Sequence, residues 1–476
     1  MGTKLLKNLS LYTVGQLMTQ LLSIILLPLY ISKLTVEDYG VVASLMTVAT
    51  FFNALMQYGM GPTIMRYYYQ FEENPDGFKG FFTSVLLFNL LANSVLLIIV
   101  FFSYSAVFSV VLPDIEISNF IVYVILYSFC FSIPVLNLSL FRVESKPVKF
   151  LLFSLTQFLL SLSIIYYLVA ILGKGAMGKI EGEFWARVPL FFIGFYLFRK
   201  YVDLSRIRLQ YVVEALKYGL PLMLQAMLWW GLYRMDYFLI NKYLGNEGVG
   251  LYNVGFQASF LLITLGISIS LAWTPHFFSI AKHKETPEFY GDLIGNFLMI
   301  LVLGGAFILI FVKDLLGLLD ASKYFEITEF LPFLIIGAIF QAGYYIVQQL
   351  LFYAKKTKFI PMVLGGGGGL IFLLEYNILP KSGLVGLSIV KMGGFILIFA
   401  LTFYVGNLYY KVVLNIRKLQ VASILLIVNA CSIIWLNLAE YSMGIKVLFF
   451  LMNIFVLSFS GFLSPQERKF IFSFFK

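Results

Sequence analysis

Residues 80–104 read GFFTSVLLFNLLANSVLLIIVFFSY, an apolar stretch without a single charged side chain. An α-helix rises about 1.5 Å per residue, so about 20 residues of this kind cross the hydrocarbon layer of a bilayer. Comparable stretches recur about 14 times along the chain and are separated only by short loops. They predict an all-α polytopic membrane protein with about 14 transmembrane helices.

The bulk composition agrees with a membrane protein and speaks against other classes. Hydrophobic residues make up 60% of the 476 residues and charged residues 12%, whereas a soluble domain has about twice that charged fraction. The two cysteines lie in apolar stretches and only two histidines occur, so we expect neither a disulfide framework nor a zinc site. The sequence has no GxxxxGK[ST] loop for ATP hydrolysis. We therefore expect no enzyme, no cofactor and no nucleic-acid partner.

The placement of positive charge predicts the topology. If the N-terminus is cytoplasmic and the spans alternate, cytoplasmic segments hold about 23 lysines and arginines and the opposite segments about eight. Cytoplasmic loops of membrane proteins carry such an excess, so we expect an even number of spans with both termini cytoplasmic. We expect the protein in the cytoplasmic (inner) membrane, where its basic segments also contact anionic lipid headgroups.

Two copies of a short motif indicate an internal repeat. Residues 32–40 read SKLTVEDYG, and residues 241–251 read NKYLGNEGVGL. In both copies a span ends in lysine and a hydrophobic residue, and an acidic turn with glutamate leads to a glycine that opens the next span. We expect two pseudo-symmetric six-helix bundles, as in transporters that work by alternating access. The predicted domains are the bundles at 1–200 and 218–410, an interfacial cytoplasmic helix at 201–217, and two further transmembrane helices at 411–476.

Longer segments around the two copies resemble one family of membrane proteins. These segments are LLPLYISKLTVEDYGVVASLMTVATFFNALMQYGMGPTIMRYY at 26–68 and KYGLPLMLQAMLWWGLYRMDYFLINKYLGNEGVGLYNVGF at 217–256. The chain resembles the polysaccharide biosynthesis and O-antigen repeat-unit flippases of the multidrug/oligosaccharidyl-lipid/polysaccharide exporter superfamily. The resemblance implies movement of polyprenyl-pyrophosphate-linked oligosaccharides from the cytoplasmic to the outer leaflet, for O-antigen, capsule or exopolysaccharide. It also implies a polymerase and a chain-length regulator as partner proteins, and it leaves H⁺ or Na⁺ open as a coupling ion.

Charged side chains inside spans are unfavourable, because inserting each one near the bilayer centre costs about 2.5–3.5 kcal/mol of free energy. They therefore indicate a structural or functional role. On one interpretation a hydrated cavity receives the pyrophosphate and is lined by Arg66, Arg142, Arg187, Arg234 and Lys391. Arginine suits this role because its planar fork donates two hydrogen bonds to phosphate oxygens. On the other interpretation Arg187 pairs with Glu183 at i,i+4 spacing, and Arg66 and Arg142 are positive-inside anchors. We predict Asp236 as a charge partner or an ion-coupling carboxylate.

Amides and glycines complete the predicted site. Three amide pairs lie one helical turn apart and so share a face: Gln16 and Gln20, Asn53 and Gln57, Asn253 and Gln257. They are predicted to bind the sugars, and the alternative is hydrogen bonding between helices. Five successive glycines in the predicted eleventh span are Gly365, Gly366, Gly367, Gly368 and Gly369. They predict a hinge, because glycine weakens a helix and permits bending.

Three other functions stay open. A flippase for the peptidoglycan lipid precursor would carry the same prenyl pyrophosphate group. A cation-coupled exporter of small molecules from the same superfamily would use an acidic cavity, whereas the deep charges here are mainly basic. A membrane polymerase would need a sizeable outer loop with catalytic groups, and the predicted outer loops are short.

Overall fold

The structure is a computed structural model, and it describes residues 25–113, 120–281, 286–438 and 442–459, with isolated positions between residues 11 and 116. Single turns of π- or 3₁₀-helix occur at Tyr167–Ile171, Leu204–Arg206 and Ser322–Tyr324. The helices are α1 (Leu27–Lys33), α2 (Val36–Met56), α3 (Met60–Gln70), α4 (Pro75–Val111), α5 (Ile121–Val143), α6 (Pro147–Tyr166), α7 (Gly175–Phe198), α8 (Leu209–Arg234), α9 (Asp236–Ile280), α10 (Thr286–Leu318), α11 (Ile327–Tyr353), α12 (Phe359–Tyr409), α13 (Ile416–Leu438) and α14 (Met443–Phe459).

The length and composition of these helices fit a bilayer. Within the described residues, eight helical segments are long and apolar enough to cross a membrane. The prediction of an all-α, multi-pass membrane protein is confirmed. The total of about 14 spans stays a prediction.

Two of the long helices each consist of two helices joined at a glycine. α9 leaves helical geometry at Gly245 (φ 68°) and α12 does so at Gly383 (φ 57°). Glycine adopts this left-handed conformation readily because it has no Cβ. The glycine run 365–369 is regular helix within α12. A Cβ at Gly367 would lie 2.5 Å from Ile398 Cγ1 on the second half of α12, so this glycine permits close packing, and the hinge stays a prediction.

A short connection leads from α7 to α8. It contains the Leu204–Arg206 turn, and α8 begins at Leu209, so the predicted interfacial helix at 201–217 is divided between an extended connection and the first turns of α8. Arg206 pairs with Asp76 at 3.0 Å and with Asp203 at 2.8 Å. These pairs hold the connection against the start of α4.

The chain divides into two compact units, Met1–Gly250 and Leu251–Lys476. In the first unit α5 packs against α2, α3, α6 and α7, and α8 packs against α2 and α4. In the second unit α11 packs against α12, and α10 packs against α11, α13 and α14. The division falls inside the second copy of the repeated motif, and the predicted domain limits stay predictions.

Candidate functional site

A helix break between α2 and α3 shapes the candidate site. Tyr58 and Gly59 both have left-handed backbone conformations, with φ of 47° and 66°. At the break the Met60 N–H donates to the Gln57 carbonyl and not to the Met56 carbonyl, as it would in a continuous α-helix. The side-chain amides of Asn89 and Asn93 on α4 donate to that carbonyl at 2.9 and 3.1 Å. Because a buried carbonyl needs a hydrogen-bond donor, α4 stabilises the break.

Close backbone contact holds α8 beside this break. A Cβ added at Gly59 would overlap the Gly219 oxygen, and one added at Gly219 would overlap the Tyr58 oxygen. Glycine lets two backbones approach this closely. Further along α8, the Trp230 indole Nε1 donates to the Thr47 carbonyl at 3.1 Å. α8 is therefore fixed to the α2–α3 segment at two points.

This arrangement places Arg66 of α3 on a tyrosine ring of α8. The Arg66 Cζ lies 4.4 Å from the centre of the Tyr218 ring. α3 exposes Pro62, Arg66, Tyr69 and Gln70 on one face. Among the described residues Arg66 has no carboxylate partner. Stacking on a ring occupies the face of a guanidinium but leaves its N–H edge available for an anion. We call Arg66, Tyr218 and the exposed face of α3 the Arg66 site.

Three charged residues of α7 form a buried ladder, which we call the α7 ladder. Lys179, Glu183 and Arg187 follow one another at i,i+4 spacing, and all three are buried. The Lys179 ammonium donates to Glu183 Oε1, and Arg187 Nη2 lies 3.6 Å from Glu183 Oε2. The pairing that the sequence left open as the structural alternative for Arg187 is therefore observed.

Side chains of α5 and α6 surround Arg187, the last residue of the α7 ladder. Arg187 Nη1 donates to Ser161 Oγ at 3.3 Å. Gln157, with its amide oxygen turned toward Arg187, accepts from both terminal nitrogens at 3.3 Å. The Arg187 Cζ also lies 5.5 Å from the centre of the Tyr127 ring. Both terminal nitrogens of Arg187 therefore have partners within the first unit, whereas its buried Nε has no hydrogen-bond partner among the described residues.

Two other predicted cations of the first unit, Arg142 and Arg234, also lie near aromatic rings. Arg142 at the end of α5 is half-buried, and its Cζ lies 4.9 Å from the centre of the Phe150 ring. Arg234 at the end of α8 is half-buried, with its Cζ 5.1 Å from the centre of the Tyr237 ring. Asp236, which begins α9, is buried.

The predicted site residues of the second unit lie on α9 and α12. Lys391 is buried, and its Nζ lies 5.8 Å from the centre of the Tyr252 ring. Asn253 follows Tyr252 and is buried, and Gln257, one turn later, is half-buried. Glu375 on the first half of α12 is also buried. Lys391 therefore approaches the segment of α9 that carries the predicted amide pair.

The remaining amides have different environments. Asn53 of α2 is buried, and its predicted role stays a prediction. Gln57 follows the last residue of α2, directly before the break, and is half-buried. Gln16 and Gln20 lie outside the described residues.

Sequence reasoning did not identify Asn89, Asn93 or Tyr218. Asn89 and Asn93 stand four residues apart in the uncharged stretch 80–104, and that spacing indicates that the two amides share one face of the helix. Tyr218 carried no such signal, because its meeting with Arg66 depends on the approach of α8 to the α2–α3 break.

A charged cluster outside the membrane-spanning segments joins the α5–α6 turn to the end of α7. Glu144 accepts hydrogen bonds from Lys200 and Tyr201, and from Lys146 at 2.9 Å. Partial burial opposes ionisation of Glu144, but these hydrogen bonds outweigh burial and lower the pKa of its carboxyl. The hydrogen bond to Glu144 raises the pKa of Lys146, whereas burial lowers the pKa of Lys200.

Sequence comparison relates the chain to proteins of polysaccharide synthesis. The model of a family described as "Polysaccharide biosynthesis protein" matches residues 34–327. The chain is also 23% identical over 411 residues to the Lsg locus putative protein 1 of Haemophilus influenzae. That match covers 82% of this chain and 97% of the Haemophilus protein.

Structural comparison relates the fold to known transporters. The chain is similar to the lipid II flippase MurJ in an inward closed conformation, with a TM-score of 0.73 and 14% identity, covering 97% of this chain and 99% of that one. It is also similar to a multidrug resistance MATE family transporter of the MOP superfamily in an inward-facing conformation, with a TM-score of 0.58 and 15% identity, covering 84% and 94%. At these identities the likeness shows the fold alone. The match of the family model confirms the predicted resemblance to polysaccharide biosynthesis proteins.

Proposed function

The chain belongs to the polysaccharide biosynthesis protein family, and on that premise we propose that it is a flippase for polyprenyl-pyrophosphate-linked oligosaccharides. It moves the lipid-linked repeat unit from the cytoplasmic to the outer leaflet by alternating access. The product serves a surface polysaccharide such as O-antigen, capsule or exopolysaccharide. The protein acts in the cytoplasmic (inner) membrane, with both termini cytoplasmic, beside a polymerase and a chain-length regulator.

The Arg66 site is the observation that supports this proposal most directly. A pyrophosphate group needs a cation that offers hydrogen-bond donors and is not already neutralised. Arg66 is exposed and stacked on Tyr218, and it has no carboxylate partner among the described residues. In the predicted topology it lies near the cytoplasmic end of the second span, where a lipid-linked sugar arrives. Its planar fork matches two phosphate oxygens, which a lysine cannot do with the same geometry.

The α7 ladder has a different role in this proposal. Arg187 is buried and already bonded to Glu183, Ser161 and Gln157, so we assign it to the stability of the first unit. Arg142, Arg234 and Lys391 remain proposed cations of the transport pathway, and Asp236 remains the proposed ion-coupling carboxylate for H⁺ or Na⁺. The amides that bind the sugars are proposed to be Gln16, Gln20, Asn53, Gln57, Asn253 and Gln257.

Membrane voltage supplies part of the driving force. A prenyl-pyrophosphate sugar carries roughly two negative charges, and an inside-negative potential favours their outward movement by about 2.3 kcal/mol per charge per 100 mV. Positive side chains along the pathway lower the cost of bringing these charges into the membrane. The prenyl chain stays among the lipid tails throughout.

Everted membrane vesicles test the proposal, because the cytoplasmic face of the protein is then outside. Labelled prenyl-pyrophosphate oligosaccharide is added to the vesicles, and its transfer is measured as protection from a sugar-cleaving enzyme that cannot cross the membrane. We expect protection with the wild-type protein and not with empty vesicles. Equal protection in both preparations would contradict a flippase.

The same vesicles separate the alternative functions. The peptidoglycan lipid precursor and a fluorescent organic cation are supplied in place of the prenyl-linked oligosaccharide. Preferred transfer of the peptidoglycan precursor would identify that cargo instead. Uptake of the cation into these everted vesicles without sugar transfer would identify a small-molecule exporter.

A further inference from the structure

Helix α8 has an exposed apolar face that fits contact with lipid tails. Leu220, Leu224 and Leu228 follow one another at i,i+4 spacing, and all three are exposed. Side chains at this spacing form one stripe along a helix. Another side of α8 packs against α2, α3 and α4. The leucine stripe is therefore the side of α8 that faces the hydrocarbon.

A second face of α8 is polar and aromatic. Tyr218, Gln225 and Trp229 are spaced by seven and four residues, so they lie on one face. An α-helix turns about 100° per residue, which places this face roughly 120° from the leucine stripe. Trp229 stacks on Tyr233 one turn further along, with the ring centres 5.6 Å apart and an angle of 21° between the rings. We call Gln225, Trp229 and Tyr233 the α8 polar face.

Gln225 indicates that the α8 polar face does not lie against lipid. This residue is near the middle of the helical segment that runs from Leu209 to the break at Gly245. Its amide is exposed and has no hydrogen-bond partner among the described residues. An exposed amide is strongly unfavourable in hydrocarbon, because it loses its hydrogen bonds with water and gains none. The α8 polar face therefore borders a hydrated space.

The Arg66 site lies at one end of the same face, because Tyr218 is the ring beneath Arg66. In the predicted topology this is the cytoplasmic end. Trp229 stands 11 residues beyond Tyr218, which is about 16 Å along the helix, and Gln225 lies between them. A cargo with its pyrophosphate on Arg66 can thus lay its sugars along α8.

The chemistry of the α8 polar face fits sugars. The C–H groups of a sugar ring carry partial positive charge and pack on the negative face of an aromatic ring. A glutamine amide both donates to and accepts from hydroxyl groups. We propose that Gln225 and the Trp229–Tyr233 pair bind the sugars of the cargo while Arg66 holds its pyrophosphate. The inference rests on the proposed flippase function, and it adds these side chains to the amides assigned to the sugars above.

Binding measurements with two probes separate recognition of the sugars from recognition of the pyrophosphate. Purified full-length protein is titrated with prenyl pyrophosphate that either carries the oligosaccharide or carries no sugar. Trp229→Leu should weaken binding of the oligosaccharide probe roughly 2- to 10-fold and leave binding of the sugar-free probe unchanged. Trp229→Phe keeps an aromatic ring and should restore most of the affinity. Arg66→Ala should weaken binding of both probes.

Trp185→Leu is the matched control. Trp185 of α7 is exposed, and the centre of its ring lies 4.9 Å from that of Phe184. This variant should bind both probes with the wild-type Kd. Equal Kd values of Trp229→Leu and Trp185→Leu would overturn the inference. An equal loss for both probes in Trp229→Leu would also overturn it, because such a loss does not depend on the sugars. A wild type that binds neither probe would contradict the proposed cargo and the inference together.

Gln225→Leu covers the case in which Trp229→Leu does not fold, as judged by the loss of a cooperative melting transition. Gln225 is exposed, so its replacement leaves the packing of α8 intact. This variant should bind the oligosaccharide probe roughly 2- to 10-fold more weakly, because it lacks the hydrogen bonds to the sugars. Its affinity for the sugar-free probe should stay at the wild-type value. A wild-type affinity of Gln225→Leu for both probes would overturn the inference.

Discussion

Arg66 and Arg187 are two arginines of the same unit that the sequence assigned to the same task, and the structure gives them opposite environments. Arg187 is buried on α7 among Glu183, Ser161 and Gln157. Arg66 is exposed on α3, with one face on Tyr218. Depth in a span therefore does not decide whether an arginine pairs within the protein or keeps donors for a ligand. We propose the donors that internal partners leave available as the better criterion.

The largest loss of stability is expected when one charge of the α7 ladder is removed. Arg187→Ala leaves the Glu183 carboxylate with one cation fewer in a buried site, and removing one partner of a buried pair costs about 3–5 kcal/mol. We expect a strongly lowered melting temperature in detergent. A melting temperature equal to that of the wild type would show that the ladder does not stabilise the first unit.

Replacing the whole α7 ladder sharpens the same comparison. Buried ion pairs can often be exchanged for apolar side chains of similar volume at little cost. The triple variant Lys179→Met, Glu183→Leu and Arg187→Met should therefore regain most of the stability that Arg187→Ala loses. It should also transfer prenyl-linked oligosaccharide. A folded triple variant without transfer would assign Arg187 to the cargo instead.

The next effect concerns Arg66. Hydrogen bonds to charged groups contribute about 1.5–3 kcal/mol, so Arg66→Ala should lower transfer roughly 10- to 100-fold, with little change in melting temperature. Arg199 provides a matched control, because it is also exposed and its Cζ lies 4.1 Å from the centre of the Tyr196 ring. Arg199→Ala should transfer normally, and equal losses in the two variants would mean that surface charge alone matters.

A smaller effect is expected from the ring beneath Arg66. A cation–π contact is worth about 0.5–2 kcal/mol, so Tyr218→Leu should lower transfer by roughly 2- to 30-fold, and Tyr218→Phe should restore most of it. The loss should appear in the apparent affinity for the cargo, because the ring positions Arg66 and does not itself carry charge. Equal transfer by Tyr218→Leu and the wild type would separate Arg66 from the ring.

Much of this fold could be predicted from the sequence, because hydrophobic length alone specifies membrane helices. The charge pattern and the two motif copies also predict a topology and an internal repeat, and both stay predictions. The Arg66 site could not be predicted in full. It depends on Tyr58 and Gly59 breaking a helix, and on Gly219 letting α8 approach that break. Contacts between residues that are far apart in sequence produce no periodic pattern in the sequence.

The i,i+4 rule correctly offered Glu183 as the partner of Arg187, since both residues lie on one helix. The rule could not decide whether Arg187 pairs with Glu183 or binds a ligand. That choice depends on Ser161 and Gln157 of a neighbouring helix. The structure supplied this information by showing how many of the arginine's donors are used.

The smallest change in stability is expected at the Glu144 cluster outside the spans, because the lysines that pair with Glu144 are partly exposed, unlike the buried α7 ladder. Such pairs contribute about 0.2–1 kcal/mol, so Glu144→Gln should lower the melting temperature only slightly at pH 7. The folded-state pKa of Glu144 is lowered, so its contribution is present above the unfolded pKa of about 4.3. It is lost as the pH falls through the folded pKa. A difference between variant and wild type that grows on acidification would contradict this assignment.

The most direct test of the central claim is a binding isotherm of purified protein with prenyl-pyrophosphate oligosaccharide. The wild type, Arg66→Ala and the apolar triple variant of the α7 ladder are titrated side by side. We predict that Arg66→Ala weakens binding roughly 10- to 100-fold, whereas the triple variant binds with the wild-type Kd. Unchanged binding by Arg66→Ala together with lost binding by the folded triple variant would contradict the claim that the exposed arginine receives the pyrophosphate.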